Sequence, residues 1–427
     1  MNEILDIKYQ KHILKNGLEV VLYKDNSLPI VSVNLWYKVG SANEVEGKTG
    51  FAHLFEHMMF QGSQNVPKEM HFRYIEEAGG NLNGSTSIDK TNYYETIPSN
   101  SLELTLWLES DRMGFLLDAL TQDKLDNQKD VVMNERRQRY DNQPYGLAWE
   151  IIFSNLFPPD HPYHWPTIGW MKDIEKFELG DVKHFFERYY SPNNASLVVG
   201  GDIDYDHALD LVKKYFEEIP SGNSIPKIQI PRTELNQNKR IVHHDDVQLS
   251  KLYIVWETVK LFDKDDSALD ILSDILTGSK NGRLFRSLVF EKQIAQDVSS
   301  FQYSGNLSGI FVIVATAKPG GGLDKIKSEI LKELKIIEDK GITSDELKRS
   351  KNAISSSFIY SLQNLNSLVD QINNYNTNLS EPNSFNYDLE RVTSLKKIKV
   401  DTMIKAYLKN HFVELNILPK EVALETE

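Results

Sequence analysis

The chain has 427 residues, 40% of them hydrophobic and 26% charged, a balance ordinary for a globular protein and a length that exceeds what one hydrophobic core usually supports. A formal net charge of −13, from 48 Lys and Arg against 61 Asp and Glu, disfavours nucleic acid and anionic membrane surfaces as partners. The lack of cysteine excludes disulfides and thiol chemistry and leaves cytoplasm and periplasm equally open. The opening residues, MNEILDIKYQKHILKNG, hold no apolar signal-peptide region, and no apolar run reaches membrane-spanning length. A soluble protein is therefore expected.

In chain order, residues 8–60 read as strand, turn and strand followed by a helix, Phe51–Phe60, rich in apolar residues. That helix carries His53, Glu56 and His57, which the helical period places on one face. Imidazoles at i and i+4 can share a divalent ion, and a carboxylate beside them that is not a ligand can act as a general base: a zinc-hydrolase pattern in the inverted order H-x-x-E-H. Five residues with three fixed positions also arise by chance, so a third ligand is needed. Gly79–Gly84 reads as an exposed sheet edge, where Gly80, Asn81 and Asn83 could meet an extended peptide; a glycine-rich turn without a ligand is the alternative. Asp126–Tyr140 reads as a helix with Val131, Val132 and Glu135 toward its apolar face. An acid turned inward is costly unless paired or metal-bound, which makes Glu135 the best third ligand. A salt bridge to Arg136, Arg137 or Arg139 fits less well, because near neighbours on a helix point apart.

Two other histidine pairs carry less. His161 and His164 lie in a loop crowded with prolines and aromatics, and His243 and His244 would face opposite sides of a strand. The proline- and glycine-rich stretch 219–237 reads as a linker between an N-terminal domain, 1–218, and a C-terminal domain, 238–427. Residues 8–60 and 238–290 follow the same succession of strand, turn, strand and helix. Ala195–Gly200 and Gly309–Ala315 read as central strands.

With His53-x-x-Glu56-His57 and the distal Glu135 in place, the sequence resembles the pitrilysin/insulinase family of inverzincin metallopeptidases, in particular its two-domain, mitochondrial-processing-peptidase-like class. The resemblance extends to Ala78–Thr86, Tyr93-Tyr94, Asn134–Gln138, His161-Pro-Tyr163 and Gly169, close to the whole chain. It implies an α+β fold of two homologous α/β sandwich domains, each a mostly antiparallel sheet with helices packed on one face. It also implies one Zn2+ per chain on His53, His57 and Glu135, with Glu56 as the catalytic base and Asn83 touching the substrate backbone. The implied activity is zinc-dependent endopeptidase action on short or unfolded peptides held in a closed chamber; a non-catalytic, zinc-retaining scaffold subunit is the alternative. Two departures stand out. The Arg and Tyr that the family's C-terminal domain supplies to substrate fall here on Val289 and Gln296, which implies a heterodimer with a homologous inactive subunit carrying that pair rather than a homodimer. Gln128 replaces a glutamate seven residues before the distal ligand.

Overall fold

The computed structural model describes residues 5–230, 232–233 and 235–420, which fold into two compact units, each built on one sheet. The first unit takes in the chain up to Arg136 together with Trp165–Lys227 and Phe358–Asp388. Its sheet contains β1 (Tyr9–Ile13), β2 (Glu19–Lys24), β3 (Ile30–Tyr37), β4 (Asn81–Thr86), β5 (Thr91–Pro98) and β6 (Ala195–Gly201), in the order β1-β2-β6-β3-β5-β4. Only β2 and β6 pair in parallel. Their side chains, Val20–Leu22 and Ala195–Val199, are buried throughout, as strands covered on both faces require.

Strand β3 shows what the second face is made of. Val31, Val33, Leu35 and Tyr37 alternate with Ser32, Asn34 and Trp36, and every one of these residues is buried. The polar set is covered by the helix Leu365–Leu379. Asp370 Oδ1 accepts from Trp36 Nε1 (2.9 Å), Asn34 Nδ2 (3.1 Å) and Asn92 Nδ2 (3.3 Å). Asn373 Nδ2 donates to the carbonyls of Asn34 (3.0 Å) and Ser196 (3.1 Å). Buried polar groups cost a few kcal/mol unless bonded, so these hydrogen bonds, together with the buried Leu368, Val369 and Ile372 of the helix, specify the cover of this face.

The second unit comprises Arg137–His164, Ile228–Ser357 and the chain from Leu389 onward. Its strands β7 (Lys239–Asp245), β8 (Lys251–Thr258), β9 (Ala295–Ser304), β10 (Gly309–Ala317) and β11 (Val413–Pro419) follow the order β7-β11-β8-β10-β9, again with one parallel pair, β7 and β11. This repeats the first sheet without β1. The internal repeat expected from the sequence is therefore present, with β7 corresponding to β2. Trp256, Leu269, Leu272, Phe311 and Ile330 lie at the centre of its core. Trp149, on the helix Ala148–Leu156, packs on this sheet against Tyr253 (6.0 Å between ring centroids) and Phe301 (5.8 Å).

The α+β class with two related sheet-and-helix units is as the sequence suggested. The compact units, however, do not follow the contiguous ranges 1–218 and 238–427. Segment 137–164 belongs with the second sheet and 358–388 with the first, because each sheet buries both faces and draws the cover for one of them from the other half of the chain. Residues 220–230 have no regular secondary structure. Arg283 forms a two-armed ion pair with Glu346 (2.7 and 2.8 Å). Burial raises Glu346, but Arg283 and the Thr343 amide outweigh it and bring the carboxyl down to about 2. Among the described residues, no helix is long and apolar enough to cross a membrane.

Candidate metal centre

Two helices of the first unit carry the site, α1 (Phe51–Met58) and α4 (Gln122–Arg136); α2 (Met70–Glu77) and α3 (Leu102–Phe115) come between them in the chain. Helix α1 begins at Gly50, whose φ of 94° is one that glycine adopts at little cost. The buried Glu44 carboxylate accepts from the amides of Gly50 and Ala52, both at 2.8 Å, and so satisfies two of the donors that a helix start leaves open. Gly50 and Gly169 back onto each other. A Cβ at Gly50 would lie 2.6 Å from the Ile168 carbonyl oxygen, and one at Gly169 would lie 2.3 Å from that of Thr49. Arg136, the last residue of α4, donates to the Gly169 carbonyl at 2.7 Å. One backbone crossing thus ties the start of α1 to the end of α4.

The apolar face of α1 fixes its rotation. Phe51 packs on Phe177 (3.9 Å between centroids) and Phe55 on Tyr190 (4.3 Å), with Leu54 and Met58 fully buried beside them. This leaves His53, Glu56 and His57 half-buried on the remaining face. On α4 the inward stripe is Leu125, Gln128, Val132 and Arg136, while Val131 is 40% exposed. The expectation that Val131 shares the apolar face fails, because the stripe runs at intervals of three and four from Gln128 through Val132. Glu135 flanks that stripe, half-buried, seven residues from the buried Gln128.

The three expected ligands come together. Glu135 Oε2 lies 3.3 Å from His57 Nε2 and 3.8 Å from His53 Nε2, and the ligand-capable atoms of all three residues fall within 4.8 Å of one another. Donors about 2.1 Å from a tetrahedral zinc are about 3.4 Å apart, so two imidazole nitrogens and one carboxylate oxygen at these spacings fit that ion. The stem of Glu56 has a neighbour on the sheet. A Cβ built on Gly84 would lie 3.3 Å from Glu56 Cγ, so the glutamate stem rests on β4, the outermost strand of its sheet.

The expected substrate residues separate into two kinds. Asn81 and Asn83 are exposed along β4, although Asn83 Oδ1 already accepts from the Gly84 amide (2.9 Å). Gly80 is small for a packing reason: a Cβ there would sit 2.9 Å from the Thr96 carbonyl oxygen and 3.0 Å from Ile75. His161 and His164 do not join a metal-capable group among the described residues. His161 is buried, stacks on Phe157 (4.4 Å) and accepts from the Tyr163 amide, and burial brings it down to about 4. In the second unit, Val289 is half-buried against the core, and Gln296 is exposed on the edge strand β9. The sequence reading missed Glu44, whose signal is an acid six residues ahead of a helix that starts on glycine.

Comparison with known proteins gives the family. The profile described as Insulinase (Peptidase family M16) matches residues 19–157, and that described as Peptidase M16 inactive domain matches residues 176–354. The zinc protease PqqE of Helicobacter pylori is 32% identical over 363 residues, covering 83% of this chain and 80% of that protein. The uncharacterized zinc protease YmxG of Bacillus subtilis is 23% identical over 358 residues, covering 84% and 85%. The crystal structure of a protease from Helicobacter pylori matches with a TM-score of 0.90 at 30% identity, covering 97% of this chain and 100% of that one. The chain belongs to the insulinase family of peptidases, M16.

Proposed function

We propose that this chain is a zinc-dependent endopeptidase for short or unfolded peptides and the catalytic subunit of a heterodimer. The observation that carries this reading is the convergence of His53, His57 and Glu135, with the stem of Glu56, on the same helix face, packed against an edge strand. Zinc, when bound by these three side chains, would supply Lewis acidity toward water and the scissile carbonyl. An extended peptide adding to the free edge of β4 would pass beside Glu56, its backbone held by hydrogen bonds along Asn81–Ser85 with little demand on its sequence. Glu56 takes a proton from the attacking water as the new C–O bond forms. It then delivers that proton to the amide nitrogen as the C–N bond breaks.

The heterodimer rests on the side chains at positions 289 and 296. Neither a valine nor a glutamine can match an arginine and a tyrosine as donors to a tetrahedral oxyanion, a role worth about 3 kcal/mol of barrier in comparable sites. A homologous subunit carrying the pair would supply them. The test is peptide turnover by the zinc-loaded chain, alone and mixed with such a subunit, with size-exclusion chromatography in parallel. Weak turnover alone and strong turnover in a one-to-one complex is the expected result. Full turnover by the chain alone would overturn the heterodimer, and a zinc-loaded complex without turnover would leave a scaffold role instead.

A further inference from the structure

On the same face of the sheet as Glu56, farther along β5, lies a second polar cluster that the proposed chemistry does not use. His71 of α2, Glu95 of β5, and Glu109 and Arg112 of α3 are all less than 5% exposed. Arg112 grips Glu109 with both arms, Nε to Oε2 at 3.0 Å and Nη2 to Oε1 in closer contact, and its Nη2 stands 3.6 Å from Glu95 Oε1. His71 Nε2 lies 3.8 Å from both Glu95 and Glu109.

The spacing of His71, Glu95 and Glu109 would admit a cation. Arg112 already supplies the positive charge. Burial, then Arg112, bring His71 down to about 3, so its ring is neutral. Burial and the adjoining Glu109 push Glu95 well above the ordinary range, whereas Glu109, which burial would also raise, is held below its ordinary value chiefly by Arg112. With the imidazole neutral and the Glu95 proton held more tightly by burial, the guanidinium balances the Glu109 carboxylate without an added cation. A divalent ion with both carboxylates ionised would leave a net buried charge, which is costly.

The unit faces the reaction site through aromatic rings. The Arg112 guanidinium carbon is 4.0 Å from the centre of the Tyr93 ring and 5.1 Å from that of Phe60, close enough for cation–π attraction. Tyr93 in turn lies against Gly84: a Cβ at Gly84 would be 3.2 Å from Tyr93 Cδ1 and 3.3 Å from Glu56 Cγ. Gly84 pairs with Tyr93 across the two strands, and its missing side chain leaves open the space on that face where the Tyr93 ring and the Glu56 stem come together. We propose that Arg112 is a positioning residue, anchored by Glu109 and Glu95, which fixes the Tyr93 ring and through it the seat of Glu56 on β4. The inference adds to the peptidase reading and depends on it only for the kinetic half of its test.

Two variants make that test. Arg112→Lys keeps the charge and loses the flat face that stacks on Tyr93. The double variant Arg112→Met with Glu109→Leu removes the ion pair as a whole, a change that buried pairs often tolerate. Kinetics are measured on the zinc-loaded protein, with the partner subunit present if wild-type turnover requires it. Hydrogen exchange of the β4 amides is measured relative to those of β6. In both variants we expect kcat to fall about tenfold or more, with KM and zinc content within about twofold of wild type. The β4 amides should exchange at least about tenfold faster relative to β6. Folded, zinc-loaded variants with unchanged β4 exchange would overturn the proposal, whatever their kcat. Absence of wild-type turnover would overturn the peptidase reading alone, because the exchange comparison decides the positioning role without it.

Discussion

Glu56→Gln will abolish peptide hydrolysis, by about 10³-fold or more, while the protein still binds about one zinc per chain. The two outcomes separate because the proposed ligands and the Glu56 stem have different contacts. The nitrogens of His53 and His57 face Glu135, whereas the Glu56 stem lies on Gly84 of the edge strand. Glutamine preserves the shape of that contact and cannot accept a proton from water. Turnover assays with metal analysis on the same preparation check this. Zinc lost along with activity would make Glu56 a ligand, and turnover retained would remove it from the chemistry.

Gly169→Ala will destabilise the protein by about 3 kcal/mol or more and weaken zinc binding at the same time. The φ of 79° alone costs a non-glycine residue about 1–2 kcal/mol. A Cβ would also lie 2.3 Å from the Thr49 carbonyl oxygen and 2.4 Å from Gly50 Cα, both backbone atoms that cannot swing aside. Relief requires the crossing to open, and that crossing holds the start of α1 and, through Arg136, the end of α4. The distances from Glu135 to the two histidines would lengthen with it. Gly180→Ala is the control: Gly180 lies in the helix Leu179–Tyr189, and a Cβ there would have nothing within 4 Å, so alanine should be neutral or stabilising. Denaturant midpoints and zinc titrations of both variants make the comparison.

The proposed ligands on α1 were legible in the sequence because helical period alone decides which side chains on that helix share a face. Glu135 was legible for a weaker reason. An acid beside an apolar stripe invites a partner, although Val131 was wrongly counted in that stripe, since a helix of mostly polar residues gives little phase information. The edge strand could be read from its small residues, and the repeat from its order of elements. The composition of the compact units could not. Ser32, Asn34 and Trp36 look like an outward face, and only the fold reveals Asp370 and Asn373 as their cover, more than 300 residues downstream. The Arg112 cluster was hidden in the same way. In Leu102–Phe115 the run Glu109-Ser-Asp-Arg112 reads as a solvated helix face, yet all four residues are buried. Local pattern gives the period of a helix; whether its charged residues meet water depends on partners from α2 and β5 that are distant in sequence.

Zinc titration of the wild-type chain against Glu135→Gln tests the central claim most directly, because it asks whether a residue far along the sequence completes the site made by His53 and His57. The account predicts one tight zinc per wild-type chain and a large loss of affinity in the variant. Equal affinity in the two proteins, or a wild-type chain that binds no zinc, would contradict it.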